Sequence, residues 1–189
     1  MKILVIEDDN RPDYKDIERC LKCSLPGVEI SHLTSFHEIN RISPIKKEDY
    51  ILCITDILEH EGRIDDFDSP YFEKIFYEGI FNISSLYQQL DCYFIVITKI
   101  PVDVLKKQFV RLKDDPDVIA LFRDRAKKLE DLFDKAQKAI FTICNHSNLH
   151  FVTKPYDQYN RPTANYGWWL DQLKKTVSEH CKLWTDIRG

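Results

Sequence analysis

The chain carries no excess of positive charge: 27 Lys and Arg stand against 31 Asp and Glu, for a net charge of -4. A protein that grips nucleic acid through its phosphates needs a basic surface, so direct DNA binding is not expected. Long apolar runs are also missing. None approaches the roughly 20 residues that span a bilayer, and no signal-peptide pattern opens the chain, so a cytoplasmic protein without membrane contact is expected. Internal repeats and low-complexity tracts are absent, and the element pattern leaves no segment for a separate output domain. Residues 1–189 are expected to form one domain. Paired zinc motifs are lacking too. Cys20 and Cys23 form a C-x-x-C and Cys144 and His146 a C-x-H, but a structural zinc usually needs two converging pairs. The first pair falls in a predicted helix and Cys53 in a predicted strand, so free thiols in a reducing compartment fit the six cysteines better.

What the chain does contain is enough apolar material for a sizeable core, 43% of 189 residues. Its most telling stretch is residues 50–56 (YILCITD), a short run of β-formers delivered into one acid, Asp56. Such a run reads as a strand buried on both faces, hence as a parallel strand of an α/β sheet. Residues 2–6, 28–33, 92–97 and 150–153 read as four further strands. Helical spacing fills the intervals at 13–25, 35–42, 71–90 and 101–113, and again at 166–184. Pro26 and Gly27 end the first helix, and Ser43 with Pro44 the second. The third shows an unusually wide apolar arc, with Tyr71, Tyr77 and Phe81 beside the main stripe, and is expected to be deeply buried. Alternation of strand and helix predicts a five-stranded parallel sheet with helices on both faces.

Two segments exceed what that plan requires. An acidic loop follows Asp56 over about 59–70, and the interval 99–147 between strands 4 and 5 is long. Asp114, Asp115 and Pro116 form a cap-then-proline signal for a helix running over about 116–146. Oppositely charged residues four apart, such as Asp131 with Lys135, lace one side of it. Packing on the domain is the plain reading of this helix. Binding a partner or a second copy is the functional one.

The residues at the strand ends suit one reaction. Glu7, Asp8 and Asp9 follow the first strand, where clustered acids repel unless a cation such as Mg²⁺ offsets them or a helix N-terminus follows. Asp56 ends the third strand, Thr98 the fourth, and Lys154 follows the fifth. Strand ends of a parallel sheet share one edge, so a carboxylate nucleophile, a hydroxyl donor and a mobile cation can meet there. An aspartate attacking phosphorus needs such donors and a cation around the phosphoryl oxygens.

On these motifs (KILVIEDD at 2–9, YILCITD at 50–56, VIT at 96–98, FVTKP at 151–155) the chain resembles the receiver domain of two-component response regulators. The resemblance implies a doubly wound, flavodoxin-like receiver fold, to which this chain adds an extra helical insertion between strands 4 and 5. The insertion is this chain's own departure, since the span from Thr98 to Lys154 is longer than a receiver needs. The resemblance implies Asp56 as phosphoacceptor, with Glu7, Asp8, Asp56 and the carbonyl of Leu58 holding Mg²⁺. Thr98 would be the switch hydroxyl, Phe151 the aromatic switch position and Lys154 the phosphate-binding lysine. A histidine kinase or phosphotransfer protein would supply the phosphoryl group. The output would be a homodimer or a downstream protein bound through residues 99–189. Phosphotransfer and dephosphorylation would be autocatalytic, with no external substrate turned over.

The chain departs from the family at His60, where a proline is usual, and at Gly62, which comes early. Lys99 stands where a small residue is usual. Leu58 offers an attacking water no polar handle, so a long-lived phosphoryl group is expected. A receiver-fold interaction module that does not switch, binding through 116–146, is the alternative. A phosphatase of another α/β family is disfavoured, because Leu58 occupies the place of its second acid.

Overall fold

A computed structural model describes residues 1–7, 12–42, 44–46, 49–57, 66–90, 92–98, 100–117, 120, 149–153 and 166–188. Five strands lie in one sheet: β1 (Lys2–Ile6), β2 (Glu29–Leu33), β3 (Leu52–Asp56), β4 (Tyr93–Thr98) and β5 (Leu149–Thr153), the last described by its backbone. Every neighbouring pair is parallel and the spatial order is β2-β1-β3-β4-β5. All residues of β3 and β4 are buried, as expected of central strands covered on both faces.

Four α-helices are described: α1 (Pro12–Ser24), α2 (Pro70–Gln89), α3 (Val102–Asp114) and α4 (Tyr166–Arg188). The period-2 alternation of the strands sorts the core into two clusters. Leu4, Ile6, Cys53, Phe94 and Val96 point to α2 and α3, meeting Phe72, Phe76, Ile80, Leu105 and Leu112. Ile3, Val5, Leu52, Ile54, Ile95 and Ile97 point the other way, onto Ile17 and Leu21 of α1 and Leu173, Val177 and Cys181 of α4. The result is helices on both faces of a parallel sheet.

Local chemistry sets the element ends. Leu25 O accepts from Val28 N–H at 3.1 Å, with Pro26 and Gly27 between them and Gly27 at φ 80°. This is a type II turn, in which proline pre-sets the first central residue and the left-handed second one favours glycine. Residues 36–42 form a 3₁₀ helix rather than an α-helix, with Phe36 as its buried residue. Glu38 reaches back to take both the N–H (2.6 Å) and the hydroxyl (2.8 Å) of Thr34, which holds its carboxyl below the usual carboxylate range. Ser69 caps α2, accepting from Phe72 N–H at 3.1 Å, and Pro70 occupies the first turn.

α2 is as buried as its wide arc implies, through Tyr77 and Phe81 as well as the main stripe, but Tyr71 lies outside the arc at 57% exposure. The Asp115 side chain accepts from Asp117 N–H at 3.0 Å, so the cap-then-proline signal is present and helix is described at residues 116 and 117. Residues 121–148, which carry nearly all of the long helix expected over 116–146, lie outside the described residues, as does most of the loop over 59–70. Among the described residues, no helix is long and apolar enough to cross a membrane.

Candidate functional site

The winding of the sheet reverses between β1 and β3, which are adjacent in space although β2 comes between them in sequence. In open α/β sheets the crevice outside the carboxyl ends at such a reversal is where ligands bind. The register shows what the chain places there. Ile6 pairs with Thr55, so the next residues, Glu7 and Asp56, stand side by side on neighbouring strands about 4.8 Å apart. The ladder to β2 is still intact at this point, because Glu7 N–H donates to Leu33 O at 3.0 Å. Alternation turns Glu7 with Ile3 and Val5, and Asp56 with Leu52 and Ile54, toward the α1 and α4 face.

Both carboxylates are nearly enclosed, Glu7 at 3% and Asp56 at 7% exposure. Carboxylates gathered at one edge away from bulk water are a setting in which a hard cation between oxygen donors is favourable. Mg²⁺ takes one or two carboxylates and keeps waters for the rest, so this oxygen-only pair fits it. Among the described residues no third His, Cys, Asp or Glu joins the pair. The two other ligands expected there, Asp8 and the Leu58 carbonyl, lie outside the described residues.

Thr98 closes β4 at the same edge, completely buried. Asp56 pairs with Ile97, so Thr98 comes one residue later and on the opposite parity, toward α2 and α3. Its hydroxyl accepts from Ile100 N–H at 3.2 Å, which seats it in the turn beyond the strand. A hydroxyl that accepts there still has its own proton to give. Thr98 pairs with Thr153, which puts the carboxyl end of β5 next to that of β4. Lys154, the following residue, lies outside the described residues, as do Lys99, His60 and Gly62; Phe151 is placed in β5 by its backbone. Glu7, Asp56 and Thr98 are thus brought to one edge on three adjacent strands.

No family model matches the chain, and no curated protein or solved structure does either.

Three contributors to this edge escape a reading of the sequence. His32 and Tyr14 stack beside Glu7, with nothing in their spacing to join them. Gly79 is the third. A Cβ there would stand 2.0 Å from the carbonyl oxygen of Ile57, the residue after Asp56, so α2 rests directly on the backbone that carries the carboxylate. Its signal was a glycine inside an apolar helical run, where it costs about 1 kcal/mol against alanine and so implies a close approach.

Proposed function

We propose that the protein is a receiver-type phosphoacceptor of flavodoxin-like fold, modified on Asp56 by a phosphohistidine donor. The observation that carries this reading is the enclosed Asp56 at the end of the central strand, with Glu7 beside it and Thr98 on the next strand, in a sheet ordered 2-1-3-4-5. That order is one of the two common doubly wound arrangements, with the ligand at the β1/β3 reversal.

In the proposed reaction a carboxylate oxygen of Asp56 attacks the phosphorus of a phosphohistidine on a histidine kinase or phosphotransfer protein. The new P–O bond forms as the P–N bond breaks, and the electron pair leaves on the imidazole nitrogen. Glu7, Asp8, Asp56 and the Leu58 carbonyl would hold Mg²⁺, which supplies positive charge to the phosphoryl oxygens. The Thr98 hydroxyl, moved toward Asp56, would hydrogen-bond to one of those oxygens while keeping its proton, and the Lys154 ammonium would pair with another. Burial of the Asp56 carboxylate limits the approach of water to the acyl phosphate. Movement of Thr98 and repacking of Phe151 would then alter a protein-binding surface within residues 99–189, a local charge change biasing a two-state surface. The cytoplasm would be the site of action.

Beryllofluoride with Mg²⁺ tests the geometry of this site without a cognate kinase. The wild type is expected to show Mg²⁺-dependent amide shifts at the strand ends, and Asp56→Asn none. An indifferent wild type, with the protein folded, rejects the proposal.

A further inference from the structure

The end of β2 carries a polar arrangement that the phosphoacceptor reading does not use. His32 Nε2 lies 2.7 Å from the backbone carbonyl oxygen of Glu7. A carbonyl oxygen only accepts, so Nε2 must be the protonated donor. The same ring lies flat on Tyr14 of α1, with centroids 3.4 Å apart and planes 8° from parallel. Tyr14 packs in turn against the aliphatic core on that face of the sheet. Glu7 is therefore tied to β2 twice, through its own N–H to Leu33 and through its carbonyl to His32. A residue held at both ends of its backbone unit has a defined direction for its side chain.

We propose that His32 is a positioning residue for the acidic edge: its Nε2–H bond to the Glu7 carbonyl, braced by the Tyr14 ring, sets the direction in which Glu7 presents its carboxylate to a divalent cation. The inference rests on Glu7 being a cation ligand and goes beyond it by naming what aims that ligand.

Two substitutions separate the hydrogen bond from the stack. His32→Phe keeps a flat ring over Tyr14 and removes the N–H; His32→Gln keeps an amide donor of similar reach and removes the ring. Each full-length protein is titrated with Mn²⁺, with the free ion followed by electron paramagnetic resonance. The backbone carbonyl shift of Glu7 is read by NMR in the same samples before metal is added. The wild type is expected to bind Mn²⁺. His32→Phe should bind about tenfold more weakly, the lower end of what loss of an outer-shell partner costs, with a displaced Glu7 carbonyl shift. His32→Gln should stay near the wild type in both readings. Unchanged affinity in His32→Phe would overturn the positioning role and leave the acidic site standing. Equal weakening in both variants would overturn it as well, since the ring's packing rather than its N–H would then be what matters. A wild type that binds no Mn²⁺ would overturn the phosphoacceptor reading and this inference together.

Discussion

On the face covered by α2 and α3, the sheet meets a dense set of aromatic rings: Phe72, Phe76, Tyr77, Phe81 and Phe94 are all buried, and Phe67, Phe72, Phe76 and Phe109 are in edge or tilted contact. Among the described residues, the helices on the other face, α1 and α4, present mainly Ile17, Leu21, Leu173 and Val177, smaller and aliphatic. Yet it is this lighter face that receives Glu7, Asp56 and the His32–Tyr14 stack at its carboxyl edge. The heavy face brings Thr98 to the same edge, together with the approach of Gly79 to Ile57. A buried carboxylate costs free energy, and a large aromatic core is the kind of reserve that offsets it.

Truncating one side chain on each face weighs the two against each other. Phe76→Ala should destabilise by about 4 kcal/mol and Val177→Ala by about 2 kcal/mol, measured by urea unfolding. Equal losses would mean that the two faces share the load. Gly79→Ala comes next. Its methyl meets backbone instead of a flexible side chain, so a loss of about 3 kcal/mol is expected. If the variant folds, its uptake of phosphate from acetyl phosphate should fall further than that of Phe76→Ala, because the displaced atoms adjoin Asp56. Wild-type stability in Gly79→Ala would show that α2 does not rest on Ile57.

A smaller effect lies in alkaline solution. The Tyr77 hydroxyl donates to Gln108 Oε1 at 2.8 Å, and burial pushes its phenol up to about 12 from an ordinary value of 10.0. Between those values the unfolded chain has lost a proton that the folded chain keeps, so stability falls as pH rises through that window and is complete below it. At about 1.4 kcal/mol per unit, the fall is at most about 2.7 kcal/mol. Tyr77→Phe should remove this part of the alkaline loss while costing about 1 kcal/mol at neutral pH, where Gln108 loses its donor. An unchanged alkaline slope would place the sensitivity elsewhere, for instance in Cys181, whose thiol burial raises to about 11.

How much of this was legible in the sequence differs between the two faces. Strands covered on both sides appear as unbroken apolar runs, so β3 could be read within two residues of its limits and its terminal Asp56 singled out. The wide apolar arc of α2 announced the heavy face, and the exposure of Tyr71 shows only that a first-turn residue can lie off the contact. Residues 36–42 read as helix because spacing near three and spacing near four are hard to separate over two turns; one buried ring, Phe36, leaves the tighter coil free to form. Glu7, Asp56 and Thr98 were visible because a parallel sheet sends its strand ends to one edge. Their parity needed the register, and the meeting of Tyr14 with His32 needed the course of α1 over β2. Neither follows from residue spacing, since both depend on how one element lies on another.

Everything proposed for this edge depends on Asp56 accepting a phosphoryl group. Acetyl phosphate with Mg²⁺, followed by intact-protein mass spectrometry, examines it without reference to any partner. One added phosphoryl group is expected on the wild type, dependent on Mg²⁺, absent from Asp56→Asn, and persisting for minutes or longer as the enclosed carboxylate implies. A folded wild type whose mass does not change, or an Asp56→Asn variant that gains the same mass, would contradict it.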